Sequence, residues 1–103
     1  MGDAAWQLGM GTETSASLVY NEKSAALVID SIRPDSEAGR LGVPASAVLL
    51  SVNGRRLQGL DKKKAVELMQ SAARPMQIVT LPTDSFALLI DAKKLVDKVH
   101  SGL

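Results

Sequence analysis

The chain has 103 residues, 46% apolar and 22% charged, the size and balance of one globular domain that buries roughly two-thirds of its unfolded surface. It has no cysteine, which excludes disulfides, thiolate metal sites and a cysteine nucleophile. A formal net charge of +1 with one Trp, one Tyr and one Phe argues against a nucleic-acid binder, which needs a basic face and stacking aromatics.

No apolar run approaches the roughly 20 residues of a membrane-spanning helix, and the N-terminus lacks a secretory pattern. Trp6 stands where an N-myristoylation motif needs Ser or Thr. A cytoplasmic location is the expectation. Enzyme chemistry finds no support: His100 is the only histidine and lies in the tail, and no carboxylate pair has the spacing of an acid/base or metal site. No cofactor and no metal are expected.

In chain order, Ala5 to Leu8 reads as an edge strand anchored by Trp6, and Gly9 to Ser17 as a Gly/Thr/Ser loop. Ser17 to Tyr20 and Ala25 to Ile32 read as a hairpin about the polar turn Asn21 to Ser24, with Leu27 and Ile29 alternating on one face. Pro34 ends the second strand by removing a ladder donor. A short helix follows, capped by Ser36, with Ala38 and Leu41 expected inward and Gly42 at the left-handed position after its end.

Val48 to Val52 is an apolar strand ending at Asn53-Gly54, a pair that tolerates the left-handed conformations of a tight turn; Arg55 to Leu57 continues beyond it. Asp61 caps a helix to about Ala72 with Ala65, Leu68 and Ala72 as its expected core stripe. Met76 to Leu81 is the last strand. After Pro82, the stretch from Ser85 has the spacing of an amphipathic helix running to about Val99, capped at Thr83, Asp84 or Ser85. Its apolar side, with Leu88, Leu95 and Val99, must cover this domain or a partner, because an isolated helix of that length is marginal in water.

The order of elements resembles the PDZ family over roughly residues 6 to 81. Leu27-x-Ile29-x-x-Ile32-x-Pro34-Asp35-Ser36-Glu37-Ala38 is similar to the family's third strand and the turn after it. Leu49-Leu50-Ser51-Val52-Asn53-Gly54 is the closest single match, and Asp61 to Ala72 looks like the second helix. The resemblance implies an α+β, mainly β fold: five to six antiparallel strands in a sandwich or partly open barrel with two helices. The division is a PDZ-like domain over 1–82 and a helical extension over 83–103. Two segments depart from the pattern. Ser15-Ala16-Ser17-Leu18 stands where a Gly-Leu-Gly-Phe-like loop is usual, and Ser46-Ala47 replaces the Gly-Asp before the fourth strand.

The resemblance further implies an interaction module, not an enzyme, that binds the C-terminal tail of a partner. The terminal carboxylate would meet backbone N–H groups of Ala16, Ser17 and Leu18 in the loop begun by Ser15. The peptide would add a strand along Leu18, Val19 and Tyr20 up to Glu22. Lys62, Val66 and Met69 fall at i, i+4 and i+7, one helical stripe, and with Leu18 and Tyr20 they would line the groove. Lys62 holds the position where many PDZ domains carry a histidine. Lysine only donates, so an acidic residue two before the ligand's end is the expected preference.

Arg55, Arg56, Lys62, Lys63, Lys64 and Arg74 make the middle of the chain basic. Phosphoinositide or acidic-membrane binding is the alternative they raise. The end of the chain, Ser101-Gly102-Leu103, is similar to a PDZ ligand of the Ser/Thr-x-apolar type, which implies weak self-association by docking into another copy.

Overall fold

Alternation of apolar and polar residues forms the strands, and the computed structural model, which describes residues 3–83, arranges them in one antiparallel sheet. The strands are β1 (Ala4–Leu8), β2 (Ala16–Asn21), β3 (Ala26–Ile32), β4 (Ala47–Val52), the two-residue β5 (Arg55–Arg56) and β6 (Met76–Pro82). Their order is β1-β6-β4-β3-β2, with β5 paired to β4. β1 and β2 therefore end the sheet, and the barrel stays open between them. Helices α1 (Glu37–Leu41) and α2 (Lys62–Ser71) complete the described residues. The extension expected over 83–103 and the Ser101-Gly102-Leu103 tail fall beyond these residues, apart from Thr83.

The main core lies on one face of the sheet and under α2. Leu8, Leu27, Ile29, Leu49, Leu57, Ile78 and Met76 are almost fully buried there, each contributing roughly 1.5–3 kcal/mol of transfer free energy. Period two puts the intervening residues on the opposite face. Ala26, Val48 and Leu81 form a second, smaller apolar cluster with Val28 and Leu50 packed against it.

Local chemistry explains where the elements stop. Ser36 caps α1 by accepting from the Gly39 N–H, and Gly42 ends it with φ of 86°. Asp61 caps α2 by accepting from the Lys64 N–H at 2.8 Å. Asn53 and Gly54, with φ of 49° and 80°, make the tight turn between β4 and β5. Asn53 does more than turn the chain: its side-chain amide donates to the Ala73 carbonyl at 2.9 Å and accepts from the Gln77 N–H at 2.8 Å. That clamps the β4–β5 turn to the segment after α2 and to the start of β6.

Four expectations need correction. Leu41 is 47% exposed, not inward. The helix lasts only five residues before Gly42 reverses the chain, and Val43, whose N–H bonds the Ala38 carbonyl at 3.0 Å, is the residue buried at that corner. Ala25 belongs to the turn, at φ 49°, so β3 starts at Ala26. Glu22 lies in that same turn beyond the end of β2. On α2 the buried residues are Ala65 and Met69, one turn apart at i, i+4, while Leu68 and Ala72 are half-buried at the margin. Ala72 has already left helical geometry, with ψ of 132°.

Candidate functional site

The free edge of β2 faces α2, and between them opens a cleft of about 350 Å³. Ala16, Leu18 and Tyr20 reach it from alternate positions of β2. Lys62, Val66, Met69 and Gln70 reach it from one side of α2, with Leu27 at the floor and Thr12 and Glu13 at one end. Ser17 and Val19 alternate to the opposite side of β2 and are exposed, Val19 by 50%. Their side chains stand outside the cleft, so only their backbone belongs to its edge.

Met69 serves two surfaces at once: at 7% exposure it belongs to the main core, and it also lines the cleft. Val66 is half-buried and Lys62 exposed. The Tyr20 phenol donates to the Leu60 carbonyl at 2.7 Å, tying β2 to the segment that leads into α2.

The loop before β2 is held at both ends by α1. The Glu37 carboxylate accepts from the N–H groups of Gly9 at 2.8 Å and Met10 at 3.0 Å. Those two bonds, Met10's first, and the nearby Arg40 hold its pKa below the ordinary glutamate value. At the other end Ser15 is fully buried. Its hydroxyl accepts from the Ala38 N–H at 3.3 Å, and its carbonyl accepts from the Arg33 N–H at 2.9 Å. Ser15 is thus a clasp between loop and helix, and its side chain does not face the cleft.

The donors expected for a ligand carboxylate are also differently placed. The Thr12 carbonyl accepts from the Ser15 N–H at 3.1 Å and from the Ala16 N–H at 2.9 Å. One of the three expected donors is therefore engaged within the loop. Glu13 lines this end of the cleft and pairs with Arg74 at 3.1 Å, Arg74 itself lying outside the lining.

Thr12, Glu13 and Gln70 were not among the residues singled out from sequence, and Leu27 was read there only as a strand residue alternating with Ile29. Gln70 had a signal, standing four residues after Val66 on the same helical stripe. Thr12 and Glu13 had none, since an irregular loop has no period. Of the basic residues, Arg56 is engaged with Gln58 through its carbonyl at 3.1 Å and its side-chain oxygen at 2.7 Å. Among the described residues no cluster of His, Asp or Glu could hold a metal ion, and no helix is long and apolar enough to cross a membrane.

No protein-family model matches the chain, and no curated protein matches it. Solved structures do. The second PDZ domain of Dlg1 from the choanoflagellate Monosiga brevicollis superposes with a TM-score of 0.67 at 22% identity, over 78% of this chain and 92% of that one. The PDZ domain of a choanoflagellate GIPC, solved bound to a B1AR peptide, gives 0.64 at 14% identity over 80% and 91%. The same domain bound to a GAIP peptide gives 0.63. The chain has the PDZ fold: an open antiparallel sheet of six strands with two helices, its cleft between β2 and α2.

Proposed function

We propose that this domain is a protein-interaction module that captures an extended peptide by adding it as a further strand to the free edge of β2. The observation that carries the reading is the cleft itself. An unpaired strand edge supplies a row of backbone donors and acceptors. Beside it, Leu18, Tyr20, Val66 and Met69 supply apolar surface for one peptide side chain. Two of the similar structures are PDZ domains bound to peptides, which supports the same reading. Main-chain pairing gives affinity, the pocket gives specificity, and a micromolar Kd, about −8 kcal/mol, is expected.

Lys62, exposed at the start of α2, favours an acidic side chain two residues before the apolar one. Calorimetry on matched peptides tests this: Lys62→Ala weakens the acidic peptide by about 0.2–1 kcal/mol and leaves one with Ser or Thr there unchanged. Equal losses for both remove Lys62 from selection. The membrane-surface alternative has less support, because Arg56 is engaged with Gln58 and Arg74 with Glu13.

A further inference from the structure

The two ends of the cleft differ in charge and in available donors. One end has Lys62, on the first turn of α2. The other has Glu13 and Gln70. A terminal carboxylate docking at that second end would approach the Glu13 carboxylate. It would also find the Ala16 N–H, one of the three donors expected for it, already bonded to the Thr12 carbonyl. Ser15 cannot swing aside without breaking its contacts to Ala38 and Arg33. Freeing the Ala16 N–H would therefore open a loop that is pinned to α1 at both ends.

Direction follows from the sheet, which is antiparallel throughout. A strand added antiparallel to β2 enters beside Tyr20, near Leu60 and Lys62, and leaves beside Ala16, near Glu13. Its earlier residues meet the cation and its later residues meet the anion.

Resting on the peptide-binding reading, we propose that the partner segment is internal and not a free C-terminus. Its pattern is an acidic residue, any residue, an apolar residue in the pocket, then Lys or Arg facing Glu13, with the chain continuing beyond. The Glu13–Arg74 pair exchanges part of its contact for the ligand's cation, so the gain is that of an exposed ion pair.

The test uses two sets of peptides on the full chain, scanning Val, Leu, Ile and Phe at the apolar position. One set carries the complete pattern, capped at both ends and extended by four residues past the basic one. The other stops at the apolar residue with a free carboxylate. Binding is measured by calorimetry, and its place by NMR shifts of the β2 and α2 amides. The capped set is expected to bind at least as tightly as the free acids. Glu13→Lys is expected to weaken it about two- to five-fold, with no effect when Ser replaces the basic residue. Tighter binding of the free acids in the same groove overturns the internal-segment proposal and leaves strand addition standing. A Glu13→Lys variant that binds the capped set as well as the native chain overturns the charge pattern. If neither set moves the groove amides, both the proposal and the peptide-binding reading fall.

Discussion

The phenol of Tyr20 donates a 2.7 Å hydrogen bond to the backbone carbonyl of Leu60, forty residues along the chain. It joins the outermost strand to the turn that launches α2, so one side-chain bond links the two walls of the cleft. Tyr20→Phe leaves that carbonyl without its partner and is expected to cost about 1 kcal/mol of stability. Peptide affinity is expected to fall with it because one link between the walls is lost. Denaturant unfolding and calorimetry on the variant measure the two losses.

Val66 and Met69 sit on one helical stripe and differ in what they can reveal. Met69 is part of the core, so Met69→Ala should destabilise by about 2–5 kcal/mol and confuse folding with binding. Val66 is half-buried in the cleft wall. Val66→Ser is expected to cost about 1 kcal/mol or less in stability while weakening peptides whose apolar residue fills the pocket. An affinity unchanged in Val66→Ser would place the peptide elsewhere.

Glu37 makes stability depend on acid pH. Its folded pKa is lowered, first by the Met10 N–H and then by that of Gly9, so its contribution is complete above the unfolded glutamate pKa of about 4.3. It is lost as pH falls through the lower folded value. Glu37→Gln is therefore expected to be less stable than the native chain at pH 7, with the difference narrowing as the pH approaches 3. Urea titrations at the two pH values check it, and a gap that stays constant would remove the ionised carboxylate from the account.

Ser46 takes φ of 61° just before β4. That conformation costs a residue with a side chain roughly 1–2 kcal/mol, and the greater unfolded freedom of glycine offsets roughly 0.5–1 kcal/mol of any replacement. Ser46→Gly is expected to gain about 0.5–1 kcal/mol net, raising Tm by about 2–8 °C for a domain of this size. A lower Tm would contradict it.

The strands, both caps and the Asn53-Gly54 turn were legible because each has a local cause: alternation, a side-chain acceptor ahead of a helix, or a left-handed pair. Ser46 shows the same logic from its negative side, since the missing glycine was visible in the sequence and the structure places a left-handed residue there. The stripe of Lys62, Val66 and Met69 was legible for the same reason. What escaped depends on contacts between distant segments. Nothing in the sequence around Ser15 says that its hydroxyl meets the Ala38 N–H, or that Thr12 engages the N–H groups of Ser15 and Ala16. The inward position read for Leu41 followed helical spacing, and it failed because Leu41 is the last residue of a five-residue helix and Val43, after the Gly42 reversal, fills that corner. Glu13 gained its place at the cleft through loop geometry alone.

The central claim is strand addition at the β2 edge, and backbone amide NMR tests it most directly. Titrating an apolar-centred peptide into the labelled chain should shift the amides of Ala16 to Asn21 and of Lys62 to Gln70, and slow the hydrogen exchange of alternate β2 amides as their outward groups become paired. Shifts confined to the Arg55 to Gln58 region, with β2 exchange unchanged at saturating peptide, would contradict it.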